Sequence, residues 1–312
     1  MNGTERVIYM TKAEKIEKLR NLTQGFILHS LFTRMPFVEC EMSSFYDQAF
    51  LFETREDAEE AARRMCENGD MVGVTELKLV EAEMPQQTNG PKLVKPGEPV
   101  KRFLRNQIRE QLMLFPRIGL NAVFFKAAGE RGEVLTLDEV LPDPVKEELN
   151  KEPNERSGLQ LTGMYFAQYV RRKDADPRIT KERYEEFYMN LARVKMLLPV
   201  IPGEEGIQPD GNLNLTRCKL PVFSPRTKTE EGAEQPEQEK VLALALFSNM
   251  DEVAVHSRSH INDVKVVQVG LDEVPKFVPE EVKYCVIDPL TLSITIKTED
   301  ILKIWKALKG QS

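Results

Sequence analysis

The sequence predicts an α+β protein assembled from two diverged copies of one domain. Length, patterning and self-similarity all point that way. The chain has 312 residues, and beyond about 250–300 residues a single core tends to split into several. Short apolar runs of strand length alternate with amphipathic, capped helices. One half also lies on the other without a gap. Placing Phe52 on Phe247, an offset of 195 residues, sets FETREDAEE beside FSNMDEVAV and carries Val72 onto Val267 and Val74 onto Val269. Upstream, MPFV at 35–38 resembles LPVF at 220–223, and downstream LTLDEVL at 135–141 resembles IKTEDIL at 296–302.

The elements follow in order. Thr11 to Ser30 reads as a first helix, with Thr at its start and apolar residues at helical spacing. Met35 to Met42 and Asp47 to Phe52 have strand length and strand composition. Thr54 caps a helix, with Asp57 in the acidic capping position. That helix sets Ala58, Ala61, Ala62, Met65 and Cys66 on one side and stops at Asn68-Gly69. Met71 to Leu77 is a short strand, and Glu83 to Pro99, with four prolines and two glycines, is a loop. A helix is expected from Glu98 to Leu114, then a hairpin of Asn121–Lys126 and Glu133–Leu137. Pro142 to Ile179 reads as a connector, within which Leu159 to Arg172 is ordered as a helix or as a strand.

The second half repeats the order. Thr180 to Lys195 is helical, with Tyr184, Phe187, Tyr188, Leu191 and Val194 along its stripe. Met196–Ile201, Cys218–Phe223, Val241–Phe247 and Val264–Val269 read as strands. Ser224 to Glu239 is a polar excursion. Met250 to Ser259 is a helix capped by Ser248 or Asn249. Val282–Ile287 and Leu292–Ile296 form a hairpin across Asp288-Pro289, and Thr298 caps a terminal helix carrying Glu299 and Asp300 in its first turn. The domains are thus expected at 1–141 and 180–312, joined by 142–179.

The stretches LLPVI at 197–201, KLPVF at 219–223, LALFSNMDEV at 244–253 and VKYCVIDPLTLSITIKTEDIL at 282–302 resemble the SseB N-terminal domain. That family shows a leading helix, a "yLPV" strand, an "lPvFTs.eel" strand-to-helix joint and a terminal "g.viNP" hairpin. Here the joint reads Leu246-Phe247-Ser248-Asn249-Met250-Asp251-Glu252, and Asp288 stands where the family often has Asn. The resemblance covers Thr180 to Trp305 and is looser over the first half. It implies two SseB-like domains, each a mixed β-sheet with packed helices, of the kind found in bacterial proteins. It brings no catalytic residues with it.

Composition narrows the function classes. The formal net charge is −7, and an acid excess repels phosphate, so nucleic acid is not an expected partner. No segment approaches the roughly 18 apolar residues of a membrane span, and the N-terminus lacks a secretory pattern. Four separate cysteines, Cys40, Cys66, Cys218 and Cys285, read as buried thiols of a reducing compartment, which makes the cytoplasm the expected location.

Candidate sites reduce to local structure. His256 and His260 have the spacing of two zinc ligands, but the repeat sets them on Ala61 and Met65, so they are expected at the inner edge of a helix packed on the sheet. Ser248 as a nucleophile would need a general base, and no GxSxG, GxxxxGK[ST] or GxGxxG pattern is present. Ser248, Asn249 and Asp288 are expected to cap and to turn the chain. Arg102, Arg105 and Arg109 are expected on one solvated helix face, and Trp305 on the sheet. No catalytic, cofactor-binding or metal-binding residue is assigned, and no cofactor. The expected role is non-enzymatic protein–protein interaction with an unidentified protein partner, away from membranes. The second expectation is a small-molecule sensor linked to amino-acid metabolism, with a pocket between the domains; the third is an enzyme with a site assembled from both copies.

Overall fold

The computed structural model describes residues 9–83, 102–151, 156–208, 212–224, 241–257, 264–308 and 310. All but Ser224 of the expected excursion at 224–239, nearly all of the 83–99 loop, and His260 lie outside them. The chain divides into two compact units, one of residues 1–29, 36–68 and 72–153, the other of residues 30–35, 69–71 and 154–312. Each is a mixed α and β structure.

The first unit opens with α1 (Lys12–Arg20), held by a capping box in which Thr11 and Glu14 satisfy each other's backbone N–H groups. It continues with β1 (Gln24–Ser30), β2 (Val38–Glu41), β3 (Tyr46–Phe52), α2 (Arg55–Glu67) and β4 (Val72–Glu83). Then come β5 (Arg102–Asn106), α3 (Gln107–Leu114), β6 (Ala122–Lys126), β7 (Glu133–Thr136), α4 (Leu137–Val140) and α5 (Asp143–Lys151). The strands form one sheet in the order β5-β4-β1-β3-β6-β7, with β2 also paired to β3. α2 buries Ala58 and Ala62 against Phe26, Leu28, Phe50, Phe52 and Val72. Each such aliphatic or aromatic side chain contributes roughly 1.5–3 kcal/mol of burial.

Two sequence expectations fail here. The helix expected over 11–30 ends at Arg20, and Gln24–Ser30 is instead the strand β1. It lies between β4 and β3 and is buried on both faces, so its apolar run carries no alternation. The helix expected over 98–114 begins only at Gln107. Asn106 turns the chain by accepting from the N–H groups of Ile108 and Arg109, and the residues before it pair with β4. Arg102 and Arg105 are therefore strand residues and share no helix face with Arg109.

The second unit contains α6 (Ser157–Tyr169), α7 (Pro177–Leu191), β8 (Met196–Pro202), β9 (Cys218–Lys219), β10 (Val222–Phe223) and β11 (Leu242–Leu246). It ends with α8 (Met250–Ser257), β12 (Lys265–Val269), β13 (Val282–Ile287), β14 (Ile294–Lys297) and α9 (Thr298–Leu308). The open 159–172 stretch is thus helical through Tyr169, with Phe166 stacked on Phe187 of α7. The expected Cys218–Phe223 strand is split, because Pro221 has no N–H to continue a ladder. Cys218–Lys219 pairs with β8 and Val222–Phe223 with β11. Thr298 does not cap α9 from outside; it is the first helical residue, and its hydroxyl donates to the Val282 carbonyl at 3.0 Å. Of the four cysteines, all free, Cys285 is buried but Cys66 is exposed. Trp305 is half-buried.

The two units pair their strands alike. β3 is parallel to β6, which is antiparallel to β7. β11 is parallel to β13, which is antiparallel to β14. β2 and β10 run antiparallel to β3 and β11. Phe26 pairs with Phe52 as Leu197 bridges Phe247. The registers make Leu135 of β7 equivalent to Ile296 of β14. Val38 and Val222 face Ala49 and Leu244, one residue away from the sequence alignment of MPFV with LPVF. Among the described residues no helix is long and apolar enough to cross a membrane.

Candidate strand-end site

The parallel strands β11 and β13 end side by side in the second unit, and the polar residues singled out in the sequence gather there. Leu246 pairs with Ile287 in the ladder, so the next residues, Phe247 and Asp288, stand beside each other. Asp288 donates its N–H to the Leu246 carbonyl at 2.9 Å. Its Oδ1 accepts from the Ser248 N–H at 2.8 Å. Asn249 is the helix cap of α8: its Oδ1 accepts from the Glu252 N–H at 2.9 Å. Thr291, in the turn after β13, donates its N–H to the Asp288 carbonyl at 3.0 Å and its hydroxyl to Glu252 Oε1 at 2.9 Å. Asp288 adopts φ of 44°, a left-handed conformation that Asp and Asn tolerate better than other non-glycine residues.

The site thus brings two carboxyls together in a buried place. Asp288 is 0% exposed and Glu252 8% exposed. Asp288 Oδ2 has no hydrogen-bond partner among the described residues. Burial pushes the Asp288 carboxyl up, the charge of Glu252 pushes it further, and the hydrogen bonds from Ser248 oppose both; the result lies at about 7. Burial likewise raises Glu252, with Asp251 adding and Thr291 opposing.

The equivalent place in the first unit is built differently. Lys126 stands beside Phe52 as Asp288 stands beside Phe247. Asp57, 195 residues before Glu252, accepts from Lys126 Nζ at 2.6 Å and from Thr54 Oγ1 at 2.9 Å. Burial raises the Asp57 carboxyl, but those hydrogen bonds and the lysine charge outweigh it, so Asp57 lies below its ordinary value. The first unit carries an ion pair at this place, the second a pair of acids.

The other candidates stay apart from this joint. The His256 ring lies 5.1 Å from Phe247 and 6.4 Å from Phe223 between centroids, and burial lowers its pKa. Ser248 is fully buried and its hydroxyl accepts from the Asn249 side chain. Arg105 is engaged by Glu110 through two hydrogen bonds of 2.7 and 2.6 Å. Among the described residues no group of three or more His, Cys, Asp or Glu could hold a metal ion. Two depressions lie elsewhere. One of about 170 Å³ in the first unit is lined by residues including Leu19, Ile108 and Leu112. A wider one of about 610 Å³ in the second is lined by residues including Val278, Tyr284 and Leu302.

Reading the sequence missed the Glu252–Asp288 pairing. The alignment of Glu252 with Asp57 was available as a signal, but nothing local marks Asp288 as buried. No family model matches the chain, and no curated protein matches it. Among solved structures, Tic22 from Plasmodium falciparum is similar at 10% identity, covering 95% of this chain and 98% of that one, with a TM-score of 0.18. A TM-score that low does not establish a shared fold.

Proposed function

We propose that the chain is a non-catalytic, SseB-like protein-binding module of the cytoplasm, formed from two related α+β domains, that takes a protein partner and not nucleic acid. What supports this is the strand-end joint. Asn249, Thr291 and the Ser248 N–H are occupied in holding the backbone and each other, while its two segments expose apolar side chains, Met250 at 57% and Leu290 at 49%. Apolar side chains on a rigid frame suit protein contact, because little side-chain or loop entropy remains to be lost on binding. Ser248 is not placed for nucleophilic attack: it is buried, and His256, the histidine next to it in sequence, packs on aromatic rings. A net charge of −7 disfavours phosphate.

The test is affinity capture from the source cells with the wild type and with a Met250→Asp/Leu290→Asp double variant of unchanged melting temperature. A specific protein held by the wild type should bind the double variant at least about tenfold more weakly, the loss expected for a truncated interface anchor. Equal capture by both would defeat the proposal. So would capture of nothing specific together with a metabolite-induced rise in melting temperature, which would favour a sensor.

A further inference from the structure

We infer that Glu252 and Asp288 hold one proton between them at neutral pH, which makes the strand-end joint of the second unit a pH-responsive latch. The inference does not depend on the protein-binding proposal, because it concerns the free chain. Its first support is the contrast between the units. The fold places an ammonium, Lys126, against Asp57 at one strand end, at 2.6 Å. At the matching position of the other it places a second acid, Asp288. The strand register is kept, but the local bonding differs: the Glu53 N–H donates to the Lys126 carbonyl, whereas the Ser248 N–H donates to the Asp288 carboxyl, so the second acid takes the lysine's place without its positive charge.

A proton is the cation that fits. Asp288 is fully buried and its Oδ2 is left without a hydrogen-bond partner among the described residues. An unpaired buried carboxylate is strongly disfavoured, and such groups take up a proton. Two neighbouring carboxyls in that setting titrate as a pair, the second ionisation being resisted by the first. The neighbours relieve the charge only in part, through neutral hydrogen-bond donors. From the end of β11 comes the Ser248 N–H, and from the turn the Thr291 hydroxyl. From α8 comes Asp251, which adds negative charge near Glu252. His256, one turn further along α8, lies against Phe247 and Phe223.

Thr291 couples the pair to the backbone, since it donates to Glu252 through its hydroxyl and to the Asp288 carbonyl through its N–H. Removing the proton sets two negative charges against each other across the contact between the start of α8 and the Asp288-Pro289 turn. The same segments carry the exposed side chains of Met250 and Leu290.

The sign follows from the direction of the shift. A folded-state value of about 7 lies above the roughly 3.9 of an unfolded aspartate. The folded chain therefore binds more protons across that window. The pair's contribution to stability is full below about pH 4, falls as pH rises toward about 7, and is flat above. Carboxyl carbon NMR titration of the full chain, with thermal melting of the wild type, Asp288→Asn and Glu252→Gln, tests this. The pair should lose its last proton near neutral pH. Wild-type melting should drop by several degrees, roughly 5 °C, between pH 5 and 8, and either variant should lose most of that drop. Asn keeps the acceptor for Ser248 and tolerates the left-handed backbone at 288; should that variant fail to fold, Glu252→Gln and the wild-type titration still decide. Complete ionisation of both carboxyls by pH 5, or an undiminished drop in the folded variants, overturns the inference. A rise in wild-type melting at pH 8 on adding millimolar calcium or magnesium, absent from Asp288→Asn, also overturns it, in favour of a metal cation.

Discussion

Lys126 and Asp288 hold matching places in the two sheets and do opposite electrostatic work. Lys126 and Asp57 are 31% and 21% exposed, so their pair is only partly screened by water. Lys126→Met should destabilise the chain by about 1 kcal/mol at pH 7, through one lost charge-assisted hydrogen bond and the ion pair. Because the folded value of Asp57 is depressed, this contribution is present above the unfolded carboxylate value of roughly 3.9 and disappears as pH falls through the lower folded one. Urea unfolding of wild type and variant should therefore differ at pH 7 and converge near pH 2; a constant difference would contradict the assignment. The sequence shows the acid at Asp57 and Glu252 directly, through the shared offset. It does not show what faces each acid, because that depends on which residues of β6 and β13 lie beside Phe52 and Phe247, and register is fixed only when the strands pair.

Caps set where the helices begin, and Thr54 and Asn249 were legible locally, whereas Thr298 proved to be the first helical residue and Asn106 lay hidden in an expected helix. Thr54 accepts from the Asp57 N–H at 3.3 Å and Asn249 from the Glu252 N–H at 2.9 Å. Thr54→Ala and Asn249→Ala should each cost about 1 kcal/mol, or roughly 3 °C in melting, while Thr54→Ser should cost little; a melt unchanged by Asn249→Ala would show that α8 starts elsewhere. The strand-to-helix joints were legible because a cap and an acid three residues on are local signals. β1 was not, because a strand covered on both faces loses its alternation and imitates a helix stripe. β5 was not either, because Asn106 lies inside a run whose Arg, Gln and Leu all favour helix, and only pairing with β4 holds 102–106 extended. The Pro221 break shows the reverse case: a single residue without an N–H divides one apparent strand between two partners.

Across the whole molecule the pairing pattern matters more than residue identity. A parallel pair with an antiparallel strand on each side occurs in both units, although few residues are shared between them. Those parallel pairs are the most enclosed parts of each sheet, with Ala49, Leu51, Val123 and Phe125 in one and Leu244, Leu246, Cys285 and Ile287 in the other all fully buried. Hydrogen exchange should be slowest in β3, β6, β11 and β13, and faster in the edge strands β5 and β9; equal protection of edge and centre would contradict this arrangement. The similar pairing also makes each unit a control for the other. Introducing Asp at 126 would recreate in the first sheet the acid pair of the second, and Lys at 288 would do the converse. One molecule therefore holds both signs of charge at matching strand-end positions, so a partly exposed ion pair and a buried acid pair can be compared within a single protein.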